Sequence, residues 1–373
     1  MAVSRAEPAQ PQSGPVATVA TLAARLAVSI LIPLIAFAVL WAGFIFLRDS
    51  KAAKPIIAGV AIVWGVGGVA LLYVVANWVV ERLPSQHRSR IIPYVFVGPA
   101  IAILAWYLLI PTIRSFVLSL QDASSKTFIG LDNYTYAFTN PSMLTAIRNN
   151  AIWLIVGTGL SVGLGLLIAV LIDRSRFGTM AKILIFLPMA ISFVGAGVIW
   201  RFVYSFQPAG ADQIGLLNAF ITSFGLKPLA WLTLPFWNNL FLVIILVWAQ
   251  TGFAMVILSA ALRGVPEEML EAARMDGASE VQVFFKVILP SIKGSVITVS
   301  TTIAILTLKI YDIVTAMTGG NFGTDVIATM QFNQMFTAND TGRASALAII
   351  LLLAVSPVVL YNLRQFRNRE GFR

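Results

Sequence analysis

The chain has 373 residues and a formal net charge of +10; 58% of its residues are hydrophobic and 11% are charged. Soluble proteins are about one-quarter charged, so this composition excludes an ordinary soluble domain and indicates a membrane protein. The basic residues are spread between apolar runs, which favours contact with lipid headgroups over a nucleic-acid-binding face. The sequence has no cysteine and one histidine, His87, so neither disulfides nor thiol or imidazole chemistry is expected.

The distribution of apolar runs divides the chain into three parts. Residues 1–21 are rich in Ala, Pro, Ser and Gln and predict a disordered cytoplasmic tail. Residues 22–90 predict two N-terminal transmembrane helices, and residues 91–373 contain the others. Apolar runs of about 20 residues, the length that crosses a bilayer, predict spans at 26–47, 55–80, 91–113, 151–172, 183–200, 240–262, 294–318 and 344–363. The predicted fold is an all-α polytopic membrane protein with about eight transmembrane helices.

The positions of lysine and arginine predict the orientation of the chain. If the N-terminus lies in the cytoplasm, sixteen of the 26 basic residues fall in cytoplasmic segments and eight in outer segments. Cytoplasmic loops carry an excess of Lys and Arg, so the sequence predicts that both termini are inside (N-in/C-in). The two sizeable outer segments are then about 119–149 and 203–236.

One charged stretch, EEMLEAARMDGASEVQVFFKVILP at 267–290, lies between two apolar runs and holds five of the sixteen acidic residues. Pro266 suits the start of a helix, and Gly277 predicts a break. Ser279 and Gln282 have the spacing of a capping box that begins a second helix. The stretch therefore predicts two short helices that face the cytoplasm.

The second of these helices is predicted to have one apolar face and to end at Pro290. Its apolar residues recur at i, i+3, i+4 and i+7: Val281, Phe284, Phe285 and Ile288. Two interpretations remain open from these features alone. The stretch is either a solvated connector lying on the membrane or a rigid helix pair that docks into a groove on a partner.

This stretch resembles a signature of the permease subunits of binding-protein-dependent ABC importers, E-A-A-x3-G-x9-I-x-L-P. The chain has Glu271-Ala272-Ala273, three residues, Gly277, nine residues and then Val287-Ile288-Leu289-Pro290, with Val287 where isoleucine is usual. The segments 128–138 and 173–204 resemble the carbohydrate-uptake branch of the same family.

The resemblance covers roughly residues 91–371. Within the carbohydrate branch, residues 308–332 look most similar to permeases of α-glucoside importers. Many relatives have Gly-Gly-Pro after the seventh helix, whereas this chain has Gly319-Gly320-Asn321. The two extra N-terminal helices resemble those of the larger permease of maltose-type importers.

The resemblance implies a function, a location and a set of partners. The chain would form half of the translocation pathway for a sugar, an α-glucoside or a related oligosaccharide, in the bacterial plasma (inner) membrane as a multi-pass protein. A second permease subunit would complete a heterodimer, and a cytoplasmic ABC ATPase dimer would drive it. An extracytoplasmic sugar-binding protein would deliver the substrate. Membrane lipids are the other expected partner, and nucleic acid is not.

The resemblance also assigns a role to residues 263–292, as a coupling loop whose helix sits in a cleft of the ATPase. The ATPase-coupling residues it implies are Glu271, Ala272, Ala273, Asp276, Gly277 and Ala278. The chain has no G-x4-G-K-[ST] phosphate loop, so it is not expected to be an enzyme that hydrolyses ATP. No cofactor or metal is expected on this chain, because ATP and Mg would bind the partner ATPase.

Polar side chains inside predicted spans are candidates for the substrate pathway. Trp248, Gln250 and Thr251 combine an aromatic plate with hydrogen-bonding groups, as sugar sites do. Lys309, Tyr311 and Asp312 follow in a later span, where Lys309 and Asp312 would share one helix face and pair with each other. The alternative is structural: hydrogen bonds between helices for the first group, and a snorkelling lysine with its counter-ion for the second.

The sequence leaves three alternatives to a sugar permease. The first is a permease of the same family for another solute, such as glycerol phosphate or a polyol. The second is a stand-alone secondary carrier, for which Asp312 is the only acid well inside a predicted span. The third is a membrane enzyme, which would need a buried carboxylate pair or a metal-ligand cluster that the sequence does not suggest.

Overall fold

The computed structural model describes residues 15–81, 85–173 and 177–370. No β-strand occurs in this part of the chain, and its isolated bridge pairs Gln121 with Phe128. In chain order its α-helices are α1 (Pro15–Asp49), α2 (Lys54–Glu81), α3 (Ser85–Leu104), α4 (Ile110–Ser119), α5 (Asp132–Thr139), α6 (Pro141–Ile152), α7 (Thr158–Asp173), α8 (Gly178–Phe186), α9 (Phe193–Val203), α10 (Leu216–Ser223), α11 (Trp237–Arg263), α12 (Glu267–Met275), α13 (Glu280–Val283), α14 (Leu289–Leu308), α15 (Asp312–Met317), α16 (Ile327–Phe336) and α17 (Thr341–Glu370). Between them lie π turns at Ala105–Leu109, Trp153–Gly157 and Phe284–Ile288 and 3-10 turns at Leu187–Ala190 and Trp231–Thr233. The all-α prediction is confirmed.

Seven helical segments in the described residues are long and apolar enough to cross a membrane. They are Leu31–Asp49, Lys54–Glu81, Ile91–Ser119, Pro141–Ile172, Trp237–Arg263, Glu280–Leu308 and Thr341–Arg364. A bent pair, Gly178–Ala190 with Phe193–Val203, makes an eighth crossing if it is counted as one span. The prediction of about eight transmembrane helices is therefore confirmed.

The fifth predicted span is broken rather than continuous. After α8 the chain forms the 3-10 turn Leu187–Ala190 and bends by 104° before α9. Pro188 lacks the N–H that would continue the ladder, Ile191 is extended, and the side chain of Ser192 caps the new helix. The prediction of one helix at 183–200 is wrong, because apolar composition reports the environment of a segment and not its backbone direction.

The seventh predicted span begins and ends earlier than expected. α13, the π turn Phe284–Ile288 and α14 form one segment, Glu280–Leu308, that runs through Pro290. The π turn ends two residues before Pro290 and contains Lys286, whose carbonyl group a proline at 290 would meet in a regular α-helix. The prediction that Pro290 ends the helix is therefore wrong, and the predicted helix to 318 already stops at Leu308.

The N-terminus differs in part from the predicted tail. α1 begins at Pro15, inside the segment 1–21 that was expected to be disordered. Residues 1–14 of that segment lie outside the described residues.

The chain divides into two compact units, Met1–Pro111 and Thr112–Arg373. In the first unit α1 and α2 pack together, and Trp64 Nε1 donates a hydrogen bond to the carbonyl oxygen of Leu40 at 3.2 Å. The side chains of α2 are largely exposed and apolar, which suits a helix surrounded by lipid.

The second unit is organised around α7 and α11, which pack along their lengths. Gly165 of α7 lies against Ala254 of α11, and Gly157, in the π turn just before α7, lies against Leu246, so glycine lets the two segments approach closely. Gly159, in contrast, has no described neighbour within 4 Å of a side-chain position. The buried core continues through Trp153, α11 and α15.

Candidate functional sites

The EAA segment (residues 263–292) contains a sharp helical corner. α12 ends at Met275, and Gly277 follows with φ +83°, a left-handed conformation that favours glycine. The N–H of Ala278 donates to the carbonyl oxygen of Ala273 at 3.1 Å, which closes the end of the helix. The predicted break at Gly277 is confirmed.

The second helix of the EAA segment starts with the predicted capping box. The backbone N–H of Ser279 donates to Gln282 Oε1 at 2.9 Å, and the N–H of Gln282 donates to Ser279 Oγ at 3.3 Å. Across the corner, Arg274 Nε donates to Glu280 Oε1 at 2.8 Å. These bonds span three to six residues, so the corner itself is held by local interactions.

Most of the predicted coupling residues are exposed. Glu271, Ala272, Asp276 and Gly277 are on the surface, and Ala273 and Ala278 are half-buried. No described atom lies within 4 Å of where a Cβ on Gly277 would be. Several apolar side chains of the segment are exposed as well: Met269, Met275, Val281 and Phe285. The corner therefore presents acidic and apolar groups that nothing in the described chain covers.

A cavity of about 310 Å³ lies where the fifth span breaks. Its wall is contributed by the 3-10 turn after α8, the start of α9, α11 and α14. The lining residues are Met189, Ile191, Ser192, Phe193, Ala249, Gln250, Phe253, Thr302 and Leu306. This volume is at the lower end of the about 300–1,000 Å³ that is usual for small-molecule sites. The lining carries no charged side chain.

Gln250 lines this cavity and has a side-chain oxygen without a hydrogen-bond partner among the described residues. The residue is 5% exposed, and this oxygen, Oε1, is buried. The hydroxyl of Thr302, in contrast, donates to the carbonyl oxygen of Thr298 at 2.8 Å. Since a buried polar atom without a partner costs about 1–3 kcal/mol, Gln250 is suited to bind a polar group that enters the cavity.

Trp248 and Thr251 are not in the cavity wall. Trp248 packs edge-on against Trp200, with the ring centroids 5.8 Å apart. The hydroxyl of Thr251 donates to the carbonyl oxygen of Val247, one turn back on the same helix, at 2.6 Å. Of the three candidates predicted on α11, only Gln250 lines the cavity.

The candidates at 309–312 lie at a break between helices. α14 ends before Lys309, and Asp312 is the first residue of α15, so the prediction that the two share one helix face is wrong. Both side chains are exposed. The Tyr311 ring contacts the Phe332 ring, with 5.2 Å between their centroids. Thr302 and Leu306 line the cavity on α14, and Lys309 follows Leu306 by three residues.

Residues 318–326, here called the Gly-rich loop, connect α15 to α16. Positive φ values occur at Gly319, Gly320, Phe322 and Gly323. The hydroxyls of Thr318 and Thr324 hydrogen-bond each other at 2.6 Å inside the loop.

Buried asparagines hold the Gly-rich loop. Asn149 Nδ2 donates to the carbonyl oxygens of Gly323 and Asp325, both at 2.8 Å. Asn238 Nδ2 donates to the carbonyl oxygen of Phe322 at 2.8 Å. These bonds join the loop to α6 and α11, which are distant in sequence.

Asn150 and Asn239, which follow Asn149 and Asn238 in sequence, make further hydrogen bonds to the loop and its surroundings. Asn150 Nδ2 donates to the carbonyl oxygen of Leu308 at 3.0 Å, and its Oδ1 accepts from the N–H of Ile327 at 2.7 Å. Asn239 Nδ2 donates to the carbonyl oxygen of Gly323 at 3.3 Å. Sequence reasoning missed this network, although the Asn-Asn pair that occurs at 149–150 and again at 238–239 was a signal for it.

Asp325 is the titratable group of the Gly-rich loop. Its carboxylate is half-buried and accepts a hydrogen bond from Thr329 Oγ1 at 2.9 Å. Burial raises the pKa of this carboxyl above its usual range, against the opposing effect of the Thr329 bond. A Cβ on Gly320 would overlap the Asp325 carboxylate, and its φ of +85° favours glycine, so a larger residue there would require the Asp325 side chain to move.

Comparison with known proteins gives concordant results. A family model described as "Binding-protein-dependent transport system inner membrane component" matches residues 161–369. The osmoprotective compounds uptake permease of Synechocystis sp. is 52% identical over 278 residues, which are 74% of this chain and 100% of that protein. The α-glucoside transport system permease of Rhizobium meliloti is 49% identical over 284 residues, 76% of this chain and 84% of that protein.

A solved structure shares the fold. A chain of a bacterial ABC transporter that imports the acidic polysaccharide alginate matches 76% of this chain and 98% of its own length, with a TM-score of 0.64 and 20% identity. The fold and the sites define a polytopic membrane transport component. The chain belongs to the family of binding-protein-dependent transport system inner membrane components. It is a permease subunit of an ABC importer and not itself an enzyme; in this family a separate ATPase subunit supplies the energy.

Proposed function

We propose that this permease imports an α-glucoside or a related neutral sugar through a pathway that includes the cavity at the broken span. Gln250 carries this proposal. Its buried, unpartnered Oε1 would accept a hydrogen bond from a sugar hydroxyl, while the apolar remainder of the wall would contact the C–H faces of the ring. The 49% identity to an α-glucoside permease supports the same class of substrate.

Lys309, Tyr311 and Asp312 are proposed as a second part of the pathway. They lie beyond Leu306 of the cavity wall, and the side chains of Lys309 and Asp312 are exposed. In a heterodimer with a second permease, the charged groups of Lys309 and Asp312 and the ring of Tyr311 would face the shared pathway and contact the sugar. Trp248 and Thr251 are left out of this proposal, because the structure gives them packing and hydrogen-bond partners within the helices.

The EAA segment is proposed to couple transport to a cytoplasmic ATPase dimer. Its exposed corner at Asp276 and Gly277, with Met275 87% exposed beside it, is the kind of surface that a groove on a partner would bury. If the N-terminus and C-terminus lie in the cytoplasm of a bacterial cell, this corner would lie on the cytoplasmic side of the inner membrane, where the ATPase would bind it. A binding protein would deliver the sugar from the other side.

A second substrate class is favoured by one observation. The relative from Synechocystis, 52% identical, is named for osmoprotective compounds. A neutral osmoprotectant with hydroxyl groups would fit the same uncharged cavity. Glycerol phosphate fits it less well, because none of the described lining residues offers a cation for the phosphate.

The test is ATP-driven uptake by the complete importer in proteoliposomes. Labelled α-glucosides, a neutral osmoprotectant and glycerol 3-phosphate are offered in turn. We expect uptake of an α-glucoside, and Gln250→Met should raise its KM by about tenfold, the value of one hydrogen bond of about 1.4 kcal/mol. Uptake of the osmoprotectant alone would favour the second class, and uptake of glycerol 3-phosphate alone would overturn the proposal.

Thr251→Val is the matched control for Gln250→Met. It changes the adjacent buried polar residue on α11, whose hydroxyl bonds its own helix rather than facing the cavity. We expect its KM to match that of the unmodified importer. An equal rise in KM for both variants would show that the effect does not arise in the cavity.

A further inference from the structure

The segment between α9 and α11 contains an apolar surface that the transport function does not explain. α10 turns the side chains of Leu216 and Phe220 outward, and Phe224 follows directly after it. Their exposed fractions are 66%, 61% and 70%. With Ile214 and Leu226, which are also exposed, they form a surface that we call the α10 face.

The opposite side of α10 is fixed to the protein. Asn218 is fully buried and donates to the carbonyl oxygens of Ser205 and Leu229 at 2.8 and 3.0 Å. Its Oδ1 accepts from the N–H of Leu229 at 2.9 Å and from Trp231 Nε1 at 3.2 Å. The orientation of α10 is therefore set by a buried side chain, and the outward position of its apolar face follows from it.

These contacts also set the depth of α10. Ser205 comes two residues after the end of α9 at Val203, and α11 starts at Trp237. α10 is thus held against the end of the bent pair Gly178–Ala190 and Phe193–Val203. If that pair crosses the membrane as one span, its end lies where hydrocarbon gives way to lipid headgroups.

The composition of the segment favours lipid over water or a polar partner. Residues 213–226 contain no charged side chain, and the first charges on either side are Asp212 and Lys227. Exposed Phe236 and Trp237 stand at the start of α11, where aromatic side chains mark a membrane interface. The exposed apolar surface is also continuous along the chain with that of α9, through Phe202 and through Phe206 just after the helix.

We propose that α10 is an interfacial helix whose apolar face inserts into the lipid at the headgroup–acyl boundary. The helix lies along the membrane surface with Asn218 toward the protein and Phe220 and Phe224 toward the acyl chains. Because α10 is tied to the end of α9, and α9 begins at the cavity wall, this contact fixes the height of the broken span in the membrane. The inference does not depend on which solute is transported.

The absence of cysteine from the chain makes a direct test possible. Phe220→Cys and Phe224→Cys are each labelled with an environment-sensitive fluorophore, in the complete importer with any partner cysteines replaced. The complex is placed in nanodiscs of phosphatidylcholine with or without bromine near the top of the acyl chain. We expect both labels to lose most of their emission in the brominated lipid and little of it to aqueous iodide.

Ala211→Cys is the matched control, since Ala211 is exposed in the same segment but outside the α10 face. Its label should respond to iodide and not to brominated lipid. Iodide quenching of the labels at 220 and 224 would overturn the proposal by placing the face in water. Protection from both quenchers would overturn it too, because a partner subunit would then cover the face. Retained ATP-driven uptake verifies that each labelled complex is folded.

Discussion

The EAA segment and the Gly-rich loop turn at glycines with almost the same backbone angle, φ +83° at Gly277 and +85° at Gly320, yet their surroundings are opposite. A side chain at Gly277 would meet nothing within 4 Å, whereas one at Gly320 would overlap the Asp325 carboxylate. The first turn is exposed and held by bonds between near neighbours. The second is held by asparagines from two distant helices.

This difference separates two demands on one chain. The Gly-rich loop needs a fixed shape, so its backbone carbonyl groups accept hydrogen bonds from buried asparagine amides. Loss of these amides would lower the free energy of unfolding. The EAA segment needs a free surface, so its shape depends on a capping box and an exposed ion pair, which contribute little to global stability. Substitutions in the loop should therefore mainly lower stability, and substitutions in the segment should lower transport with a smaller loss of stability.

The largest expected effect is on the buried network. Asn149→Ala leaves the carbonyl oxygens of Gly323 and Asp325 without their donor, which should destabilise the protein by about 2–5 kcal/mol. Thermal unfolding of the purified complex measures the loss. Asn333→Ala, at an exposed position of α16, is the control and should change stability by less than about 0.5 kcal/mol. Equal shifts for the two variants would mean that the network does not hold the loop.

A paired substitution separates the two glycines. Gly320→Ala places alanine at a positive φ, which carries a backbone cost, and also makes its Cβ overlap the Asp325 carboxylate. It should therefore destabilise the protein by about 2–4 kcal/mol. Gly277→Ala bears only the backbone cost of about 1–2 kcal/mol, confined to an exposed corner. Melting temperatures of both variants test the difference, and Asp325→Ala in the Gly320→Ala background should recover part of the loss. A larger drop for Gly277→Ala would contradict the comparison.

A smaller effect is expected from the charge of Asp325 and depends on pH. Burial raises the pKa of this carboxyl, so its ionised form is disfavoured in the folded state and its contribution to stability falls as pH rises through that pKa. Asp325→Asn keeps an acceptor for Thr329 and removes the charge. Its melting temperature relative to the unmodified protein should rise between pH 4 and pH 7. If the melting temperature of Asp325→Asn exceeded that of the unmodified protein most at pH 4, a raised pKa of Asp325 would be contradicted.

The spans and the EAA segment were predictable because each depends on local pattern. Hydrophobic length defines a crossing, and Gly277, Ser279 and Gln282 act within a few residues of their own positions. Gln250 was also predicted, as a polar side chain inside a span. Its selection over Trp248 and Thr251 required coordinates, because only the structure shows which of the three already have partners.

The features that sequence reasoning missed depend on chain direction or on distant contacts. The run at 183–200 is uncharged throughout, and nothing in its composition distinguishes a straight span from one bent after Pro188. Lys309 and Asp312 have helical spacing, but the helix that would bring them onto one face has already ended at Leu308. The asparagine network joins residues far apart in sequence, which no local periodicity encodes.

The most direct test of the account is one preparation of the Gly277→Pro variant on which two quantities are measured. Proline fixes φ near −65° and removes the N–H that donates to the Arg274 carbonyl oxygen, so the corner cannot keep its shape. We expect ATP-driven uptake by the complete importer to fall by about tenfold or more, while the melting temperature of the permease falls by no more than about 4–8 °C, the shift for about 2 kcal/mol. Normal uptake, or a melting temperature that collapses together with uptake, would contradict a coupling surface that is independent of the fold.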